Sequence, residues 1–321
     1  MKHILVTGGA GFIGSNLVDK LLESSTVKVT VLDNFDSFYD SAIKKRNIKD
    51  QLKNPNYTLI KADIRNLNLA KEKLSSHFHA IIHLAAKVGV KPSLENPELY
   101  TEVNIKGTQN MLELARELRC NKFIFASSSS AYGINNKLPW KESDHNLLPI
   151  SPYGATKISG ELLGHVYAHL YGFQFIGLRF FTVYGPRQRP DLAIHKFVKC
   201  IMTGTPITIY GDGRSERDYT YIDDIVSGIK ATLTYSESQY EIINLGNSKP
   251  VQLRSLISRL QKTIGKKAKV KMFPAQNGDV PLTFADITKA QKLLGYKPNT
   301  SLETGLQKFV DWFQEHNEKK R

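Results

Sequence analysis

Apolar and polar positions alternate in blocks along the first half of the chain, and the period switches from block to block. Lys2 to Thr7 is an apolar run of strand length, after which Leu17, Val18, Leu21 and Leu22 recur at helical spacing. Further apolar runs lie at Val27 to Leu32, Tyr57 to Lys61, Ala80 to Leu84, Phe123 to Ala126 and Gln174 to Phe180. Between them the pattern predicts a loop at Pro92 to Pro97, a long helix from Glu98 to Leu118 and another from Ser151 to Tyr171. Runs of this kind, separated by helices and short connections, predict a parallel sheet covered on both faces. The fold class expected is α/β, a doubly wound parallel sheet of Rossmann type.

After about residue 182 the segments shorten, punctuated by Pro186, Pro190, Pro206, Gly211 and Gly213. Helices are expected at Ala193 to Met202, Asp223 to Tyr235, Gln252 to Ile264, Asp286 to Leu294 and Ser301 to Glu315. Short strands are expected at Pro206 to Tyr210, Asp218 to Tyr221 and Tyr240 to Leu245. The change at 182 divides the chain into residues 1–181, a nucleotide-binding domain, and 182–321, a smaller α/β lobe. No internal repeat or low-complexity segment is present.

The turn after the first run carries chemistry. Gly8, Gly11 and Gly14 satisfy G-x-x-G-x-x-G, and with Gly9 also G-x-G-x-x-G, between a strand and a helix. Glycines there permit a tight turn and let the N–H groups of Phe12 and Ile13 reach a pyrophosphate at the helix N-terminus. Asp33 ends the second run, nineteen residues after Gly14, where a carboxylate accepts hydrogen bonds from a ribose and repels a 2′-phosphate. That pairing favours NAD over NADP.

A second constellation follows the fifth run. Ser127 to Ser130 is a row of hydroxyls, and Tyr153 and Lys157, four residues apart, share a helix face. A phenol with an ordinary pKa of about 10 is a poor base at neutral pH. A neighbouring ammonium favours the phenolate and is expected to lower that pKa. Ser128 can then hold a substrate alcohol toward the phenolate. Alone, Y-x-x-x-K also fits an ordinary surface pair; the glycine turn decides between them.

Ser128 with Tyr153 and Lys157 resembles the catalytic signature of the short-chain dehydrogenase/reductase superfamily. The stretches Leu178 to Asp191, Tyr210 to Ile225, Gln276 to Asp286 and Leu294 to Phe313 resemble its extended, nucleotide-sugar-modifying branch, so the likeness spans nearly the whole chain. The subfamily it resembles is the UDP-glucuronate 4-epimerases. That resemblance implies that Asn34, Asp63, Ile64, Leu84, Ala85, Ala86 and Lys87 lie against NAD. It also implies that Asn104 steadies the active-site helix beside the cofactor through water, and that Arg217 and Asp279 hold the nucleoside diphosphate and its ribose. Gln276 stands where many relatives place an arginine on the diphosphate, which puts that contact in doubt. The lobe would take the UDP-sugar, some of its segments would return to the first domain, and two chains would pair as a homodimer.

Within that branch three positions separate reactions that share a 4-keto intermediate. Sugar 4,6-dehydratases carry Asp-Glu where Ser129 and Ser130 stand, and UDP-glucuronate decarboxylases a glutamate at the place of Ser130. Oxidation and re-reduction at one carbon remain, which is 4-epimerisation. Thr182 and Arg189 match the uronate-type pattern, and a guanidinium binds a carboxylate in bidentate fashion. Thr182, Arg189 and Ser130 are therefore expected on the sugar carboxylate. UDP-glucose, UDP-N-acetylglucosamine or its uronate are the alternative epimerase substrates, and a decarboxylase is a more distant alternative.

Composition adds limits. No stretch of eighteen apolar residues and no cationic-then-apolar leader occurs, so a cytoplasmic protein without membrane contact is expected. Cys120 and Cys200 fit no metal spacing and read as reduced thiols, and no metal is expected. The net charge of +14, from 44 basic and 30 acidic residues, is scattered in small clusters such as Lys44-Lys45-Arg46. Without a basic platform interleaved with aromatics, it suits a polyanionic small substrate better than nucleic acid. A non-catalytic NAD-binding or RNA-associated protein is the contrasting class, marked by a salt-sensitive shift of nucleic acid.

Overall fold

A computed structural model of the chain describes residues 1–68, 72–74, 77–274 and 280–318. The apolar runs become strands β1 (Lys2–Thr7), β2 (Val27–Asp33), β3 (Tyr57–Lys61), β4 (Ala80–His83), β5 (Lys122–Ser128) and β6 (Gln174–Phe180). Shorter strands follow: β7 (Thr182–Tyr184), β8 (Ile207–Tyr210), β9 (Glu216–Tyr221), β10 (Tyr240–Leu245), β11 (Pro250–Gln252) and β12 (Val270–Phe273). Helices of the first half are α1 (Phe12–Leu22), α2 (Ser41–Asn47), α3 (Val90–Glu95), α4 (Pro97–Tyr100), α5 (Gly107–Glu117) and α6 (Pro152–Tyr171). Those of the second half are α7 (Ala193–Thr203), α8 (Ile222–Thr232), α9 (Leu253–Ile264), α10 (Thr288–Leu294) and α11 (Leu302–Glu318).

Seven strands form one sheet in the order β3-β2-β1-β4-β5-β6-β10, every neighbouring pair parallel. This is the Rossmann-type arrangement, extended at one edge by β10. The strand period of two sorts its side chains between two cores. Ile4, Val6, Ile124 and Ala126 pack on one face, Leu5, Phe123 and Phe125 on the other. Each fully buried Ile, Leu, Val or Phe among them contributes about 1.5–3 kcal/mol. The lobe adds a three-stranded sheet, β11-β9-β7, and the parallel pair β12-β8.

The chain around residue 100 departs from the sequence expectation. Pro92 to Pro97 is mostly helical as α3, and the expected long helix runs without a gap from Pro97 to Glu117 but contains a π-helical turn over Thr101–Lys106 between α4 and α5. Asn96 restarts the helix by accepting the Leu99 N–H at 3.2 Å, with Pro97 in the first turn. Asn104 lies in this widened turn and is buried.

Helix α6 carries Tyr153 and Lys157 and is fixed at both ends. Ser151 caps its start by accepting the Gly154 N–H at 3.1 Å, and Gly172 ends it in the left-handed region. Along its length Gly160 lets it close on β5, since a Cβ there would come within 2.4 Å of the Phe125 ring.

Candidate active site

The large sheet ends its strands along one edge, where the loops after β1, β2, β4, β5 and β6 enclose a cavity of about 460 Å³. At one end lie Gly8, Gly11, Phe12, Ile13 and Gly14. Gly11 caps α1 without any side chain bonding the first N–H groups, and the first turn holds no acidic residue. The amides of Phe12 and Ile13 thus leave an anion-binding helix end at the cavity wall. A Cβ on Gly14 would sit 2.3 Å from the Gly8 carbonyl oxygen, so only glycine lets α1 begin so close to the turn.

Asp33 stands beside this end with its carboxylate oxygens accepting the N–H groups of Ala10 at 3.0 Å and Phe35 at 2.8 Å. Asn34 donates to Asp63 at 2.9 Å, tying the ends of β2 and β3 together. Burial opposes the charge on Asp63, but hydrogen bonds from Arg65 and Asn34 outweigh it and hold the carboxyl down at about 2. Ile64, Leu84, Ala85, Ala86 and Lys87 complete the wall. An open helix N-terminus, a glycine-limited approach and a carboxylate after β2 form a donor set that fits NAD.

Asn104 is not among the residues of the cavity wall; its side chain grips Lys87, accepting the N–H at 2.8 Å and donating to the carbonyl at 2.9 Å. It also donates to Thr156 Oγ1 on α6 at 3.0 Å. Asn104 therefore braces the cofactor wall against the catalytic helix.

At the other end of the cavity lie Ser128, Ser129, Ser130, Tyr153, Lys157, Thr182 and Arg189. Tyr153 is hydrogen-bonded to Ser128, and its ring meets Tyr100 edge-on with centroids 6.3 Å apart. Tyr100 is itself held by its hydroxyl donating to the Val88 carbonyl at 2.6 Å. The expected lowering of the Tyr153 pKa is not what the structure gives. Burial pushes the phenol up, and the bond from Ser128 and the charge of Arg189 only partly oppose it. Lys157 donates to the Ala126 carbonyl at 2.7 Å and stands 5.7 Å from the centre of the Tyr153 ring. Burial lowers Lys157 to about 8, against a raising effect of Glu161.

Arg189 is bonded through Nε and Nη2 to Asp191, at 2.9 and 2.8 Å. Asp191 thus takes one bidentate edge of the guanidinium and leaves Nη1 and the second Nη2 proton for another acceptor. Phe38 lies 5.6 Å from the guanidinium carbon and 5.8 Å from Lys87 Nζ, so one ring sits between two cations.

Arg217, on β9, is not among the cavity residues; it donates to the Glu216 carbonyl at 2.7 Å. Asp279 and Gln276 lie outside the described residues. Sequence reasoning passed over Asp36, Phe38, Tyr39 and Lys44, all on the wall. Lys44 is buried and donates to the Asp36 carbonyl at 2.9 Å, while Asp36 pairs with Lys87 at 2.8 Å. The signal was the density of Asp and Asn after β2. Asp33, Asn34, Asp36 and Asp40 each accept the N–H two residues on, a ladder of Asx turns that stiffens the loop. Among the described residues no group of three His, Cys, Asp or Glu is placed to hold a metal ion, and no helix is long and apolar enough to cross a membrane.

The sequence profile of the GDP-mannose 4,6 dehydratase family matches residues 5–309. An uncharacterized protein of Methanocaldococcus jannaschii is 48% identical over 321 residues, covering 99% of this chain and 98% of its own. A UDP-glucuronate 4-epimerase of Thermodesulfobacterium geofontis is 43% identical, with 99% and 98% covered. Among solved structures, the UDP-glucuronic acid 4-epimerase of Bacillus cereus in complex with UDP-glucuronic acid and NAD superposes with a TM-score of 0.92. It is 39% identical, with 98% of this chain and 99% of that one covered.

Proposed function

The chain belongs to the GDP-mannose 4,6-dehydratase family of NAD-dependent nucleotide-sugar enzymes, and from that premise we propose that it interconverts UDP-glucuronate and UDP-galacturonate by 4-epimerisation. What carries this is the absence of a carboxyl acid/base at the sugar end of the cavity. The carboxylates on its wall, among the described residues, are Asp33, Asp36 and Asp63, and each is engaged away from Tyr153. Ser129 and Ser130 stand beside Tyr153 instead. Eliminating water would need an acid there; moving one proton on and off an alcohol needs only Tyr153.

NAD, when bound, supplies the hydride acceptor that makes a C4 ketone and the hydride that reduces it. Tyr153 takes the proton of the sugar 4-hydroxyl while Ser128 hydrogen-bonds that oxygen, and Tyr153 returns the proton on re-reduction. Tyr153 enters the cycle as the phenolate, so that the proton it takes is the one it returns; burial opposes that charge, and the bond from Ser128 with the positive charge of Arg189 and of Lys157, 5.7 Å from the ring centre, favours it. The sugar turns over between the two halves while UDP stays held by the lobe, with Arg217 and Asp279 as the contacts offered by resemblance. The intermediate is a β-keto acid, which loses CO₂ when its carboxylate aligns with the carbonyl π system. Ser130, Thr182 and the open edge of Arg189 hold the carboxylate out of that alignment.

The partner we infer is a second copy of this chain. Leu162, Val166 and Leu170 recur every four residues on α6 and are exposed, with Leu94 and Tyr171 also exposed. Such a stripe on an otherwise packed helix matches the pairing surface of a helical interface. Both cysteines are free thiols, in keeping with a cytoplasmic setting. Proton NMR of the purified protein with UDP-glucuronate and no added cofactor tests the activity. UDP-galacturonate without UDP-pentose is expected; accumulation of UDP-pentose, or turnover of only neutral or N-acetyl UDP-sugars, would overturn the uronate assignment.

A further inference from the structure

One turn beyond Lys157 on α6, Glu161 is buried in a network that the proton transfer described so far does not use. Ser127, the residue before Ser128, donates its hydroxyl to Glu161. Arg179 on β6, equally buried, grips the same carboxylate through Nε at 2.9 Å and Nη2 at 2.7 Å. The guanidinium is backed by the Tyr132 ring, 4.6 Å from its centre, and Tyr132 donates to Asn244 at 2.7 Å. Two strands, β5 and β6, and the catalytic helix thus meet at one carboxylate.

We propose that Glu161 is the positioning residue of the proton-transfer site. Through Ser127 it fixes the end of β5, where Ser128 and the Ala126 carbonyl sit, and through its charge it retains the Lys157 ammonium under Tyr153. The inference rests on Tyr153 and Lys157 acting as the proton-transfer pair, and not on which UDP-sugar is turned over.

The surroundings of Lys157 leave Glu161 as the carboxylate for this role. From its own helix the lysine faces Tyr153 and Glu161; from β5, the Phe125 ring at 5.1 Å and the Ala126 carbonyl; from β4, His83. His83 is kept neutral, its pKa pushed down to about 3 by burial and by Lys157 itself. Neither face offers another anion. Arg179 bonds both oxygens of Glu161 and fixes their direction, and because it is itself positive it cannot substitute for the carboxylate. A buried ion pair of this sort is costly to assemble, and removing one partner alone leaves an uncompensated buried charge.

The test uses the holoprotein with its own cofactor. In Glu161→Gln, which keeps the shape and removes the charge, kcat is expected to fall roughly tenfold with KM within about twofold. The alkaline limb of the kcat–pH profile, where Lys157 loses its proton, is expected to move to lower pH by roughly one unit. Ser127→Ala should lower kcat while leaving that limb in place, separating geometry from charge. Lysine side-chain NMR of the holoprotein without sugar, with Lys157 assigned by its loss in Lys157→Arg, should show the same acidward shift. That readout survives if UDP-glucuronate is the wrong sugar. If Glu161→Gln does not fold, the double variant Glu161→Met with Arg179→Met removes both charges together and should still shift the limb. A Glu161 variant that retains NAD and its melting temperature, and whose limb and lysine titration overlay the parent's, overturns the proposal.

Discussion

Replacing Arg189 by alanine should change both the speed of the enzyme and its product. The guanidinium is partly buried, held through one edge by Asp191 at 2.9 and 2.8 Å, and presents its other edge to the cavity. A hydrogen bond to a charged group is worth about 1.5–3 kcal/mol, which corresponds to roughly a 10- to 150-fold loss in kcat/KM. The loss should be larger on UDP-glucuronate than on UDP-glucose, because the alanine variant also leaves Asp191 without its partner, facing an incoming carboxylate. Freed from that grip, the carboxylate of the 4-keto intermediate can align with the carbonyl, so UDP-pentose should appear beside UDP-galacturonate in an NMR time course. Arg189→Lys keeps the charge without the fork and should fall between parent and alanine. If Arg189→Ala turned over UDP-glucuronate within twofold of the parent and made no pentose, the placement of the substrate carboxylate beside Arg189 would be wrong.

Gly14→Ala should abolish co-purification of NAD and lower the melting temperature, since its Cβ would meet the Gly8 carbonyl oxygen at 2.3 Å and push α1 off the turn; a variant that kept its cofactor would contradict the cradle. Charge placed on the exposed stripe of α6, as in Leu162→Glu with Leu170→Glu, should convert a dimer into a monomer in sedimentation, and a monomeric parent would refute the pairing inferred from that stripe. Asp63, held down at about 2 by Arg65 and Asn34, contributes stability that is present above its ordinary value and lost as pH falls through about 2. Asp63→Asn should accordingly flatten the fall in the urea midpoint on the acid side, and an unaltered slope would count against the ion pair.

The strands and the glycine turn were legible because their signals are local. A short apolar run rich in β-branched and aromatic residues and bounded by turn residues carries its strand signal locally, and G-x-x-G-x-x-G between strand and helix carries its own context. What escaped depends on neighbours distant in sequence. Lys44 sits in a basic triplet that reads as solvated surface, and only the docking of α2 turns this one lysine under Asp36. Asn104 was placed by resemblance alone, and its partners Lys87 and Thr156 are distant in sequence and meet it only in the fold. Tyr153 was expected to have a lowered pKa because sequence does not show the depth of burial, which outweighs the bond from Ser128 and the charge of Arg189. The strands Thr182–Tyr184 and Pro250–Gln252 are too short to display a period, and β12 is exposed throughout, so no alternation marks it.

The edge strand β10 bears on how the chain is made. Nascent β6 presents Phe175, Ile176 and Leu178 beside an open row of backbone donors and acceptors until its parallel neighbour has been synthesised. That neighbour ends at Leu245, sixty-five residues after Phe180. At about 5–20 residues per second the ribosome needs roughly 3 to 13 seconds to supply it. For that interval the catalytic half has its glycine turn, Tyr153 and Lys157 in hand but carries a raw edge able to pair with another nascent chain. Synonymous codons that slow elongation between 181 and 245 lengthen the exposure, and a chaperone that holds β6 shortens its consequences.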